Sequence, residues 1–253
     1  MSFKKYATDP KKRFSSRVEN YIKYRPSYPL EIIKFLKEKN ILAKNTIIAD
    51  IGSGTGILTK IFLDNDNQVY GIEPNKDMRE AAEKILHGYI NFTSLEGSAE
   101  STGLEEYSIE LIVAGQAFHW FDVERTKREF KRILKPNGNV ALIWNNRGKA
   151  GTDFNNSYEN FILKYGIDVR EVRKNEGNVD LFFNYQKETF YNFQELDFTS
   201  FKGRVLSSSY IPLADTPIFP KMILELEDLF NKHQRKGIIR IEYDTEIYLG
   251  KLE

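Results

Sequence analysis

Between Thr46 and Trp144, short apolar runs alternate with stretches of helical spacing, and this alternation constrains the fold more than any other feature. Thr46-Ile47-Ile48-Ala49-Asp50-Ile51 is short and β-branched and stops at Gly52, the pattern of a buried strand. The spacing then predicts a helix over Ile57–Leu63, a strand over Gln68–Ile72, a helix over Lys76–Leu86 and a strand over Ile90–Leu95. Ile109–Ala114 reads as a fourth strand and Val123–Leu134 as a helix. Lys135-Pro136-Asn137-Gly138 then turns the chain into a fifth strand, Asn139–Trp144. Strands and helices at this interval imply a parallel sheet with helices on both faces, an α/β fold. Leu30–Glu38 adds a helix before the series. After Arg147 the rhythm breaks: a loop over Gly148–Asp153, a helix over Phe154–Tyr165, a strand over Phe190–Phe198, a helix over Phe219–His233 and a last strand over Ile238–Leu249.

A chain of 253 residues suits one large domain with elaborations. It has no cysteine, which excludes disulfides, thiolate zinc sites and a thiol nucleophile. The net charge of +1 gives no global attraction to nucleic acid or anionic membrane. Locally, residues 1–25 are basic, with Lys11-Lys12-Arg13 at their centre, a run read either as a solvated charge cluster or as a nucleic-acid patch. No run approaches the roughly 20 apolar residues of a membrane-spanning helix, and the start lacks the apolar stretch of a signal peptide. A cytoplasmic location is expected, with neither a membrane nor a nucleic acid as partner.

The chemistry begins where the first strand ends, at Asp50-Ile51-Gly52-Ser53-Gly54-Thr55-Gly56. Glycines let the backbone turn sharply and approach a ligand with no Cβ between them, and the following helix start offers free N–H donors. A dinucleotide-binding loop would place its third glycine one position later, where this chain has Ile57, and no phosphate loop ending in Gly-Lys-Ser/Thr is present. Glu73 closes the second strand at a distance suited to accepting hydrogen bonds from both hydroxyls of a ribose; the alternative is a solvated strand-end carboxylate. Met78 on the next helix is either packed on a purine ring or an ordinary core residue.

Together with Glu73-Pro74-Asn75, Gly97-Ser98-Ala99-Glu100, Gln116-Ala117-Phe118-His119-Trp120 and Leu134-Lys135-Pro136-Asn137-Gly138, this loop resembles the class I methyltransferases that use S-adenosylmethionine (SAM). Tyr24-Arg25-Pro26-Ser27-Tyr28-Pro29 and His119-Trp120 are similar, more narrowly, to the trans-aconitate methyltransferase-like branch. The resemblance implies a Rossmann-like sheet of seven strands with the last, Ile238–Leu249, antiparallel. Residues 1–29 would form a lid segment, 30–147 the SAM-binding core, and 148–253 the last strands and a cap over the acceptor. It further implies that Gly52, Ser53, Gly54 and Gly56 lie against the methionine part of SAM, with Asp50 ordering the loop toward the amino group. Glu73 would hold the ribose, Pro74 or Met78 would flank the adenine, and Gln116 would stand beside the cofactor. Where related sequences often carry an Asp, this chain has Ser98, which passes adenine recognition to the Ala99 backbone and Glu100. Tyr21, Tyr24, Arg25 and Tyr28 would close over the cofactor with Arg25 near its carboxylate, or simply cap the sheet.

No metal site is expected, and the Asn/Asp-Pro-Pro-aromatic signature of base-nitrogen methylation is absent. His119 is either a general base or a structural histidine that holds Trp120. A carboxylate acceptor needs no base, so catalysis can rest on proximity and exclusion of water. The expected activity is direct displacement at the SAM methyl by a small-molecule acceptor. The alternatives are RNA methylation and a SAM-binding module without catalysis. The aromatic stretch from Phe154 to Phe201 either roofs the acceptor or builds core.

Overall fold

The computed structural model describes residues 17–147, 152–167, 169 and 179–252. Seven strands form one sheet in the order β3-β2-β1-β4-β5-β7-β6. They are β1 (Ile47–Ile51), β2 (Gln68–Ile72), β3 (Phe92–Leu95), β4 (Ile109–Gly115), β5 (Leu134–Arg147), β6 (Asn184–Leu196) and β7 (Ile239–Lys251). The five strands from β3 to β5 pair in parallel, and β7 runs antiparallel to both of its neighbours, as expected. Neighbours β1 and β4 leave in opposite directions through the order, so the chain opens a crevice at their carboxyl ends.

The central strands are apolar throughout because both of their faces are covered. Along β4, Leu111 and Val113 enter one core while Ile109, Ile112 and Ala114 enter the other. Along β5, Ala141 and Ile143 alternate in the same way with Val140, Leu142 and Trp144. The first core takes Ile32, Ile33, Phe35 and Leu36 of helix α2 (Glu31–Glu38) and Leu58, Ile61, Phe62 and Leu63 of α3 (Ile57–Leu63). The second takes Phe130 and Ile133 of α5 (Val123–Ile133), together with Phe182. Between them in sequence lies α4 (Lys76–Ile85), capped by Asn75 Oδ1, which accepts from the Met78 amide.

A third core lies beyond the sheet. Phe154, Tyr158, Phe161, Ile162 and Tyr165 of α6 (Asp153–Tyr165) pack with Phe201 and Val205, with Met222, Leu226 and Phe230, and with Ile239, Ile241 and Tyr243 of β7. Much of the aromatic stretch is therefore buried packing.

Several boundaries differ from the sequence reading. β3 starts at Phe92, with Ile90 left fully exposed. β6 spans Asn184–Leu196 and not Phe190–Phe198, because Asp197 ends it by accepting from the Ser200 amide and so capping a helix, Phe198–Leu206. The turn at Lys135–Gly138 exists inside β5: Ile109 pairs Leu134 and Leu111 pairs Asn139, so the intervening residues bulge, with Asn137 at φ +71°. A further helix, α1 (Val18–Tyr24), lies in the basic segment before Pro26 and buries none of its residues completely. It packs on Phe198–Leu206. The basic run Lys11-Lys12-Arg13 and most of the expected loop at 148–153 lie outside the described residues. Among the described residues no helix is long and apolar enough to cross a membrane.

Candidate active site

The glycine loop is fastened to the carboxyl end of β2. Gly52 and Ser53 donate their amides to the Ile72 carbonyl at 2.8 and 3.1 Å. Gly54 donates to Glu73 Oε2 at 2.9 Å, and Asn75 donates to Oε1 at 2.8 Å. Gly52 has φ +69°, and a Cβ there would stand 2.7 Å from that of Ala117. The position therefore requires glycine twice, for its backbone conformation and for the approach of the loop after β4. That loop carries its own strained residue, Gln116 at φ +56°, whose amide donates to the Ile143 carbonyl.

Below the loop Asp50 is completely buried. Thr59 Oγ1 donates to Asp50 Oδ2 at 2.6 Å, and Oδ1 has no partner among the described residues. Burial raises the Asp50 carboxyl, the Thr59 hydrogen bond opposes the rise, and the neighbouring Glu73 adds to it, leaving the group at about 7. An unpartnered oxygen of this kind fits a ligand that brings an N–H donor or a positive charge.

Two cavities meet at this loop. The smaller, about 220 Å³, is walled by Gly52, Gly54, Glu73, Pro74, Met78, Ser98, Ala99, Glu100 and Gln116, with Trp120 and Phe121 opposite. It unites most of the residues the sequence suggested for a nucleoside: an acid at the β2 end, an apolar slot beside Pro74 and Met78, and the backbone at Ser98–Ala99. Glu73 is also the residue that holds the loop, so its oxygens serve the backbone first and can offer only their remaining lone pairs to a ribose. Glu100 is similarly engaged, accepting from the Asp122 amide at 2.9 Å.

The larger cavity, about 590 Å³, shares Tyr21, Gly52, Gly115, Gln116 and Trp120 with the smaller one. Asp50 and Ser53 line it, as do His119, Asn145, Asn146 and Asn155. Three guanidinium groups face into it: Arg25 after α1, Arg147 at the end of β5 and Arg204 on the helix Phe198–Leu206. Arg204 is 3% exposed. Arg147 contacts Glu159 at 3.4 Å, stands over the Tyr158 ring at 5.0 Å and donates to the Tyr210 hydroxyl at 3.4 Å. Arg25 donates to the Ser207 carbonyl at 3.0 Å and covers the Tyr21 ring, and Arg204 reaches Tyr243 and Ser208. The Nε atoms of Arg25 and Arg147 have no partner among the described residues.

Arg25 lines the larger cavity, as do Asp50 and Ser53, and Gly56 lines neither. Gly56 instead caps α3 at φ +83°, where a Cβ would strike Leu86. His119 lies against Trp120, ring centroids 4.8 Å apart. Enclosure, and then the charge of Arg25, lower its imidazole to about 4, so the ring is neutral and weakly basic at physiological pH. Sequence reasoning gave no role to Arg147, Arg204 or Tyr210, although Arg204 and Tyr210 lie in Gly203–Pro212, a stretch that shares, weakly, the resemblance to the trans-aconitate methyltransferase-like branch.

The comparisons agree with this geometry. Residues 49–142 match the methyltransferase domain family. The chain is 32% identical over 137 residues to an uncharacterised methyltransferase-like protein of Schizosaccharomyces pombe, a stretch covering 54% of this chain and 52% of that protein. It is 34% identical over 134 residues to an uncharacterised methyltransferase of Mycobacterium tuberculosis, covering 53% and 52%. The matched stretch thus spans about half the length of the curated relatives. In fold it is similar to a solved structure described as a type II methyltransferase from Anaeromyxobacter dehalogenans, with a TM-score of 0.69, 18% identity and coverage of 90% of this chain and 98% of that one. Strand order, glycine loop and sequence relatives converge: residues 49–142 match the methyltransferase domain family and sit in a sheet like that of a solved methyltransferase.

Proposed function

We propose that this protein transfers a methyl group from SAM to a small anionic acceptor, a carboxylate, held in the larger cavity. The observation that carries the reading is the convergence of Arg25, Arg147 and Arg204 on a cavity that shares a wall with the glycine-loop site. Guanidinium groups withdrawn from water need a counter-charge, and their planar donor sets match carboxylate oxygens.

In this reading the smaller cavity holds the nucleoside, with Glu73 at the ribose and Pro74 and Met78 beside the adenine. Asp50 Oδ1 accepts from the amino group of the methionine part. Bound SAM supplies a methyl group on a positively charged sulfur, which a carboxylate oxygen can displace directly without a base. The protein's contribution is to fix the acceptor in line across the seam formed by Tyr21, Gly115 and Gln116, and to keep water out. The neutral, weakly basic His119 is then a positioning group and hydrogen-bond partner rather than a proton acceptor.

Inward-facing arginines also favour a small molecule over RNA, which would need an outward cationic track and binding that weakens steeply with salt. The test is transfer of labelled methyl from SAM into a fractionated pool of carboxylic acids. Label should appear in esters that mild alkali releases. Label in alkali-stable products or in nucleic acid would overturn the acceptor assignment. Calorimetric SAM binding with no transfer to any pool would favour a binding module.

A further inference from the structure

The three arginines of the larger cavity outnumber the carboxylate that pairs with them. Glu159 meets Arg147, whereas Arg25 and Arg204 have only carbonyl, hydroxyl and ring partners among the described residues. Cations enclosed without a compensating anion are costly, and a protein relieves the cost with whatever acidic group it holds nearby. One such group stands at the centre of the cluster. The hydroxyl of Tyr210, on the loop after the helix Phe198–Leu206, accepts from Arg147 Nη1 at 3.4 Å and lines the same cavity.

We propose that Tyr210 serves as the internal counter-anion of this arginine cluster, and that an anionic acceptor binds with uptake of one proton at the Tyr210 oxygen. The inference rests on the reading of the larger cavity as an anion site. The proton comes from solvent, an O–H bond forms, and the negative charge of the phenolate is replaced by that of the acceptor. Total charge in the cavity is conserved while the Arg147 donor is freed to turn to the ligand.

The surroundings of Tyr210 agree. Burial works to raise its phenol, but the charges of Arg147, Arg204 and Arg25 and a hydrogen bond with Ser208 bring it down to about 7. Tyr158 and Glu159 on α6, Tyr243 on β7 and Tyr21 on α1 stand against the guanidinium groups, and Asp50, His119, Asp244 and the Lys187–Glu246 ion pair line the rest of the cavity. Tyr158 behaves oppositely: burial pushes its phenol up to about 12 despite Arg204 and Arg147. The two phenols flank one guanidinium, Tyr158 with its ring face and Tyr210 with its hydroxyl. Tyr210 is well fixed for this task. Its carbonyl accepts from the Ile167 amide at 2.8 Å, and Arg17 binds the carbonyls of Leu206, Ser208 and Ile211 on either side.

The experiment is an ultraviolet titration of tyrosine ionisation in the ligand-free protein, repeated in Tyr210→Phe and Arg147→Gln and then with succinate as a carboxylate probe. One of the fourteen tyrosines should ionise near pH 7. That step should vanish in Tyr210→Phe, move to higher pH in Arg147→Gln, and move to higher pH when saturating succinate is added to the native protein. A native protein with no tyrosine ionising below the ordinary range overturns the counter-anion. A step that succinate leaves in place overturns the coupling. The titration needs neither methyl donor nor turnover. Ionisation of Tyr210 without any carboxylate methylation would therefore sink the acceptor assignment alone, and methylation without the ionisation would sink this inference alone.

Discussion

Asp50 is placed where a carboxylate is uncomfortable, and the discomfort is what a ligand can relieve. It is fully buried, shares one oxygen with Thr59 and leaves the other without a partner among the described residues. Its folded value of about 7 lies above the ordinary 3.8. Between those values the folded state binds more protons than the unfolded one, so this group's contribution to stability falls as pH rises through that window. A cationic amino group at Oδ1 favours the ionised form, so SAM affinity should strengthen as pH rises through about 7. Asp50→Asn removes both effects. The variant should gain thermal stability relative to the native protein at pH 8, with the gain narrowing toward pH 5. Its SAM affinity should be about tenfold weaker or worse at pH 8, the loss of a charge-assisted hydrogen bond of about 1.5–3 kcal/mol, and flat with pH. Thermal melts and calorimetry across pH 5–8 check both. A variant with native pH dependence of SAM binding would remove Asp50 from the cofactor's partners.

At the scale of elements, the site is a joint between the ends of β1, β2 and β4, and Glu73 is its fastener. Because Oε2 takes the Gly54 amide and Oε1 the Asn75 amide, Glu73→Gln must turn an NH2 toward one of two N–H donors. We expect a loss of about 1.5–3 kcal/mol, or roughly ten- to 150-fold in SAM affinity, with the sheet intact by circular dichroism. Unchanged affinity would reduce Glu73 to a strand-end carboxylate. This half of the site was legible because its residues are consecutive: a strand, a glycine loop and an acid at the next strand end are local patterns, set by backbone geometry. The sheet was legible for the same reason, since strands buried on both faces read as unbroken apolar runs. The other half was not. Arg147, Arg204 and Tyr210 come from β5, a helix and a loop, and only the long-range pairing of β7 with β5 and β6 brings them together. The helix Phe198–Leu206 was hidden behind an aromatic run that suits a strand equally well, although Asp197 and Ser200 stood at capping spacing.

Across the whole molecule, segments nearly two hundred residues apart enclose the larger cavity. Arg17, 6% exposed, donates to the carbonyls of Leu206 and Ser208 at 2.8 and 2.7 Å and also to that of Ile211, while Arg25 holds Ser207. Leu206 and Ser207 stand at the end of the helix Phe198–Leu206, where carbonyls lack intrahelical partners, and a cation there also opposes the negative end of the helix dipole. Two of the basic residues near the start of the chain therefore act inside the protein. Arg17→Met keeps much of the stem packing and removes all three bonds. Part of the loss is recovered as the carbonyls rehydrate, so about 2–4 kcal/mol is expected, a fall in melting temperature of about 4–16 °C. The damage should be directional. Hydrogen exchange should accelerate over residues 204–211 while β1 and β4, in the sheet's centre, stay protected, since local opening need not unfold the core. In the proposed reading SAM is held at the β1–β2 joint, away from the Arg17 contacts, so its affinity should stay within about threefold, a difference below 1 kcal/mol. Acceptor KM should rise, because Tyr210 and Arg204 lie on the released segment. Loss of SAM affinity in proportion to loss of acceptor binding would show instead that the two cavities and the α1 contact form one cooperative unit.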